Sequence, residues 1–450
     1  VPRGELGMNI NVRKIFMVIS IIAIAEIFLI RFGVAQTILP QNADDIHIGV
    51  TSCAGSTCHG ATTPWAGSTV LQNEYMTWEQ YDPHSKAYSV LLNSTSKKMA
   101  KNLGIGKAHE AKICLDCHAD NVPQNKRGRV FQISDGVGCE ACHGGGQRWL
   151  GIHVSGVGTH EDNVKAGLYP TEDPVKRAEL CISCHFGDET KFVTHRIMGA
   201  GHPRMSFELD TFTAIQPAHY KIDSDYRKRK IVANGIQTWA IGQAIALERR
   251  LDALLDPKRN RDGIFPELVL YDCQACHHSL MEQKWQPRPS TGLGPGVVRF
   301  DDSNLLMLQI IVSNIDPKKG ALLVQQTKAL HKSTTENESK YYAAAKVLKQ
   351  TSSELVALFS SHKFGKKDVS RLLNGLIDRA KKAEFSDYVG AEQAIMGISA
   401  VLSTADRMGM KAAAKSAQKA VDKAYSALSK YDNWDYTGFK TAVGMIKPIQ

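Results

Sequence analysis

The chain has 450 residues, room for roughly two to four domains, and 43 % of them are apolar, which allows a packed core and argues against a disordered chain. The formal charge is +10, and residues 301–450 carry 22 Lys and Arg against 15 Asp and Glu. Nothing in the composition calls for a nucleic-acid partner. Ten cysteines are present, none beyond Cys276, and all of them fall in close pairs.

From Met8 the chain reads as an export leader. Basic Arg13 and Lys14 precede an apolar run from Ile15 to Ile30, and Gly33-Val34-Ala35 offers a small-residue cleavage site after Ala35. The run is short for a membrane span, and Glu26 and Arg31 interrupt it. An uncleaved anchor is the competing reading. Val1-Pro2-Arg3-Gly4 stands ahead of Met8, and the whole of residues 1–35 is set aside from fold reasoning. Export places the cysteines in a disulfide-permissive compartment, so five disulfides are one explanation of the even count.

Residues 36–286 form the next expected domain, irregular and rich in Gly, His and Cys. Along it lie Cys53-Ala54-Gly55-Ser56-Thr57-Cys58-His59, Cys114-Leu115-Asp116-Cys117-His118, Cys139-Glu140-Ala141-Cys142-His143, Cys181-Ile182-Ser183-Cys184-His185 and Cys273-Gln274-Ala275-Cys276-His277. Four are C-x-x-C-H, the attachment signature of haem c. Two thiols one short turn apart add to the two vinyl groups of one porphyrin, and the following His becomes the proximal ligand of its iron. Chance would supply roughly 0.01 such motifs in a chain of this composition. Zinc sites also use C-x-x-C pairs, but do not require a His after each. Disulfides explain the even count and not the histidines. Five covalent haems are therefore expected. The first motif departs from the C-x-x-C-H pattern, because four residues separate Cys53 from Cys58.

A second histidine on each iron would close it for electron transfer, and an empty position would admit a small ligand. The candidates are His84, His153, His202, His219 and His278, with His195 in reserve. His278 directly follows a proximal ligand, and His195 lies seven residues before His202. His331 and His362 lie in the later helical region and are not expected to ligate.

Within the Cys-bearing domain one segment has clear helical period: Ile236, Ala240, Ala244, Leu247, Leu251 and Leu254, stopped by Pro257. Residues 287–301, with several Pro and Gly, read as a linker. From 302 to 450 the chain has no Cys and shows amphipathic stripes. These are Leu348, Leu355 and Phe359; Val369, Leu372, Leu373 and Leu376; Ala391, Ile395, Ile398 and Leu402; and Ala417, Val421, Ala424 and Leu428. Such stripes need partners, so a helical bundle is expected, with Asp302-Ser303 as its first N-cap. The fold class is mainly α with extensive irregular structure: a multihaem cytochrome domain organised around its haems, followed by an α-helical bundle.

At Gly136-Val137-Gly138-Cys139-Glu140-Ala141-Cys142-His143-Gly144, with His153 ten residues on, the sequence resembles the cytochrome c-554 family of tetrahaem periplasmic carriers. The resemblance covers about residues 48–225. It implies distal ligands at His153, at His84 after Trp78, and near His219-Tyr220-Lys221. It also implies an open iron on the haem of His118. The wide first motif, the fifth motif and the carboxy-terminal helices depart from the family pattern.

The leading functional expectation is an exported, periplasmic electron carrier working between redox proteins. A haem enzyme acting on a small nitrogen or sulfur compound through one open iron is the alternative; no catalytic residue is assigned for it. The C-x-x-C-Lys motif of multihaem nitrite reductases is absent, as is the eight-motif count of hydroxylamine oxidoreductases. A third reading is a subunit of a haem-chain filament or redox complex. The basic tail would suit an acidic redox partner or a membrane surface, and an oligomer is possible.

Overall fold

A computed structural model describes residues 38–261, 266–277, 288, 290–291, 293 and 297–448. The leader expected at 1–35 and His278 lie outside the described residues. The architecture is mainly α, and among the described residues β structure is confined to three isolated bridges.

In the amino-terminal half, short helices alternate with turns. Those used below are α1 (Glu74–Tyr81), α2 (Lys112–His118), α3 (Cys139–His143), α4 (Pro174–His185) and α5 (Leu209–Ile215). Apolar clusters there are small: Leu91, Ala100, Ala108, Leu115 and Ala119 form one, and Leu39, Tyr169 and Leu180 another. Backbone turns and side-chain caps hold the rest. Glu140, 2 % exposed, accepts from the backbone N–H groups of Ile48, Gly49 and Gly146 at 2.6–2.7 Å, tying the entering chain to α3.

The long helix α6 (Gly235–Leu255) begins at Asn234, whose side chain accepts from Gln237 N–H at 2.9 Å. Ile236, Trp239, Ala240, Ala244, Leu247, Leu251 and Leu254 are fully buried. A helix buried on this much of its surface needs neighbours on several sides. It has them in α4, α5, α7 (Ser303–Ile315), α9 (Glu338–Ser361) and α11 (Tyr388–Arg407). Between α7 and α9 runs α8 (Pro317–Ser333); α10 (Lys366–Lys381), α12 (Lys411–Ala427) and α13 (Tyr436–Gly444) complete the set. The helix that the sequence placed with the Cys-bearing region is thus the hub of the later helices, and Ala178 and Ile182 of α4 share the same hydrophobic cluster. Each large apolar side chain buried there contributes about 1.5–3 kcal/mol. Fit is close: a Cβ on Gly397 would meet the Trp239 ring at 2.6 Å.

Every expected apolar stripe faces this core. Leu348, Phe359, Val369, Leu372, Leu373, Leu376, Ala391, Ile395 and Ile398 are fully buried. One local expectation is corrected. Asp302 does occupy the N-cap position of α7, but its side chain caps no helix N–H. Its carboxylate pairs instead with the fully buried guanidinium of Arg288. Arg288 also pairs with Asp387, and Arg299 bonds Asp272 and Asp387 at 3.0 Å each. Charge attraction in a dry setting outweighs a cap that the helix can do without. Of the segment read as a linker, Arg288, Thr291, Arg299 and Phe300 are buried.

Candidate haem sites

Three motifs end a helix. In α2, α3 and α4 the two cysteines stand three residues apart on one face, and the His is the last helical residue. The fifth motif lies on a 3-10 turn, Cys273–Ala275, and His277 N–H donates to the Cys273 carbonyl at 2.7 Å. It is clamped to the bundle from both sides. Asp272 N–H donates to the Arg299 carbonyl at 2.8 Å, and Tyr388 N–H donates to Gln274 Oε1 at 3.0 Å. In the first motif Cys58 N–H and Gly60 N–H both close on the Gly55 carbonyl, and His59 N–H returns to the Cys53 carbonyl at 3.2 Å. The two additional residues fold into a turn, and His59 still follows directly on Cys58.

No disulfide joins any of the ten cysteines. Among the described residues no three His, Cys, Asp or Glu side chains converge as a free-standing metal site, as a zinc reading would require. Two thiols from different motifs do approach one another in two places, Cys53 with Cys139 and Cys117 with Cys184. The first motif is therefore next to the third, and the second next to the fourth.

Each motif histidine faces a histidine from elsewhere in the chain. Ring centres lie 5.9 Å apart for His59 and His153, 6.4 Å for His118 and His202, and 6.2 Å for His143 and His219. They lie 6.1 Å apart for His185 and His84, and 6.1 Å for His277 and His195. The same spacing recurs at all five motifs. An iron between two imidazole nitrogens at about 2.0 Å each separates the ring centres by roughly 6 Å. The residues present fit haem.

The second nitrogen of several rings is already engaged, which leaves Nε2 for the gap. His59 Nδ1 lies 3.0 Å from Glu74 Oε2 and His84 Nδ1 2.8 Å from Asp82 Oδ1. His118 Nδ1 bonds the Ala87 carbonyl at 3.0 Å and His202 Nδ1 the Pro203 carbonyl at 2.8 Å. Such outer partners fix ring orientation and raise ligand basicity. Burial lowers His143 to about 3 and His185 to about 4, so both rings keep a free lone pair at neutral pH. Burial alone would raise Asp82, yet hydrogen bonds from His84 and Gln216 bring it down to about 2, so it remains a carboxylate.

Of the expected second ligands, His84, His153, His202 and His219 each stand opposite a motif histidine. His195, held in reserve, is the fifth. The ring of His118, where the family resemblance implied an open iron, faces His202 as the other pairs face each other. His331 lies in the buried ion cluster, 3.6 Å from Asp302, and His362 stacks edge-on against Phe364. Glu74, Asp82 and His47 join the site from outside the motifs. Asp82-Pro83-His84 carries its signal in adjacency, whereas Glu74 and His59 are joined only by the fold. His47 is fully buried with Nδ1 2.7 Å from Asp120 Oδ2.

The Gly-Val-Gly lead of the third motif has a steric reason. Gly136 has φ +74°, and a Cβ there would meet the His84 carbonyl at 2.8 Å. Val137 N–H donates to that same carbonyl, and Trp78 Nε1 donates to the Val137 carbonyl. The glycine lets the His84 segment lie against the third motif.

Repeated thiol pairs, each followed by a histidine that faces a second histidine across an iron-sized gap, define a multihaem c-type cytochrome with covalently bound haem c. Residues 52–144 match the family described as cytochrome c554 and c-prime. The chain is 29 % identical over 119 residues to cytochrome c-554 of Nitrosomonas europaea, an alignment that covers 24 % of this chain and 49 % of that one. It thus spans about half the length of the curated relative it matches, and it carries a cytochrome c-554-like multihaem region. No solved structure matches the chain. Among the described residues no helix is long and apolar enough to cross a membrane.

Proposed function

We propose that this protein is an exported, periplasmic electron carrier holding five haems c, each iron closed by two histidines. The pairs are His59 with His153, His118 with His202, His143 with His219, His185 with His84, and His277 with His195. The single observation that carries this reading is the ring-centre spacing, 5.9–6.4 Å at all five motifs. Haem supplies a one-electron couple, and two imidazoles keep the iron in one geometry in both oxidation states. The chain's part is to hold those rings fixed, through α2, α3 and α4 on one side and the Asp82, Glu74, Ala87 and Pro203 acceptors around them. Attachment sites in contact, first with third and second with fourth, favour rapid passage between neighbours.

His202 opposite His118 weighs against an enzyme with an open iron at that motif. Redox partner proteins are the proposed clients. Lys411, Lys415, Lys419 and Lys423 are exposed at four-residue spacing along α12 and would attract an acidic partner or an anionic membrane surface. Pyridine haemochrome analysis with electron paramagnetic resonance of the oxidised protein tests the reading. Five haems per chain, all low-spin, are expected. Four haems, or a high-spin signal that shifts with nitric oxide, would overturn it.

A further inference from the structure

Within each of the two close motif pairs, one ligand set leans on a carboxylate and the other on backbone carbonyls. In the first-and-third pair, His59 is held by Glu74, while His219, opposite His143, bonds the Pro217 carbonyl. In the second-and-fourth pair, His84, opposite His185, is held by Asp82, while His118 and His202 bond the Ala87 and Pro203 carbonyls. Both carboxylates are fixed at both ends. Asp82 Oδ1 accepts from His84 N–H and faces His84 Nδ1, and Asp82 Oδ2 accepts from Gln216 Nε2 at 3.0 Å. Glu74 Oε1 accepts from Gln72 N–H at 3.2 Å while Oε2 takes His59 Nδ1. Asp82 is 4 % exposed, so water screens its charge little.

We infer that Glu74 and Asp82 set the haems of the first and fourth motifs at lower potential than their neighbours at the third and second, giving each close pair a built-in direction for the electron. A carboxylate that draws on the Nδ1 proton makes the imidazole a stronger donor, and its negative charge adds to the preference for ferric over ferrous iron. A neutral carbonyl does the first weakly and the second not at all. An electron arriving on a first- or fourth-motif haem then moves to the neighbouring haem, and the half-reduced pair rests with it there. Glu74 and Asp82 are positioning residues in this account. They touch the ligands and never the iron.

The inference rests on the ligation proposed above, and the test separates the two. Glu74→Gln and Asp82→Asn keep an oxygen acceptor and remove the charge. In an optical redox titration of the holoprotein, each is expected to raise the potential of one haem by at least a tenfold change in its reduction constant, 59 mV for a one-electron couple. Haem count and low-spin signals should stay as in the parent. His84→Ala is the companion variant, and it should turn one haem high-spin. If His84→Ala does so while neither carboxylate variant moves any potential, the inference fails and the ligation stands. If His84→Ala leaves every haem low-spin, the ligation of that haem fails and the inference with it.

Discussion

His195 faces His277 with ring centres 6.1 Å apart, although Cys273–His277 and the short helix His195–Gly199 belong to distant stretches of chain. Glu267 joins them: its Oε1 accepts from His195 N–H at 2.7 Å and from Val269 N–H at 3.1 Å, just ahead of the fifth motif. His195→Ala should leave all haems attached and convert one to high-spin, read by electron paramagnetic resonance. His278→Ala should leave the spectrum unchanged. The reverse pattern would move the fifth ligand to His278.

The ring planes within the facing histidine pairs differ between sites. They are near-perpendicular for His84 with His185, His118 with His202 and His143 with His219, at 86°, 80° and 88°. They are close to parallel for His59 with His153, at 17°. Perpendicular imidazoles leave two iron d orbitals nearly degenerate, and parallel ones split them. Oxidised protein should therefore show large-g signals together with a rhombic low-spin signal, and His153→Ala should abolish a rhombic one. A spectrum of large-g signals alone would contradict the near-parallel His59 pair.

Cys53→Ser with Cys58→Ser should reduce the haem content by one per chain in a pyridine haemochrome assay. An unchanged content would mean that the first motif holds a turn and no haem.

Arg288 is buried between Asp302 and Asp387, with Arg299 and Asp272 beside them. Arg288→Ala leaves two buried carboxylates short of a partner and should cost about 3–5 kcal/mol, measured by urea unfolding. Because Asp272 directly precedes Cys273, the haem proposed at the fifth motif, which stays covalently attached, should lose its His195 ligand at lower urea than the others lose theirs, read from the Soret band.

Burial, aided by Arg299 and Arg288 and opposed by Asp302, lowers His331 from 6.5 to about 4. The folded ring stays neutral while the unfolded one takes up a proton, so native stability is full above pH 6.5 and falls as the pH drops towards 4. Between pH 7 and 5 the loss from this group is about 2 kcal/mol. His331→Leu should lack it, so the difference in unfolding free energy between parent and variant should move by that amount in the variant's favour. No change in that difference would mean that His331 titrates alike in both states.

Two kinds of signal were legible in the residues. Attachment chemistry is local: two thiols and an imidazole must meet one porphyrin, so Cys114, Cys117 and His118 had to be near neighbours in sequence. Helical burial is local too, since Leu372, Leu373 and Leu376 share a face by period alone. Glu74 was not legible as a partner of His59, because a carboxylate fifteen residues away has no preferred place until α1 sets one. Arg288 and Asp302 read as linker and cap, because they pair with each other and Arg288 pairs with Asp387 at the start of a distant helix.

By itself, then, the sequence determined where each thiol pair and its following histidine lie and which faces of the later helices are covered. The fold alone decided what stands on the far side of each motif histidine. His84 reaches forward to the fourth motif, His153 back to the first, His202 back to the second and His195 forward to the fifth. Such pairing joins rings from separate stretches of chain, and no spacing along the chain encodes it. It follows from how Gly136 admits the His84 segment, how Glu267 holds His195, and how α6 ties the Cys-bearing half to the helices that follow.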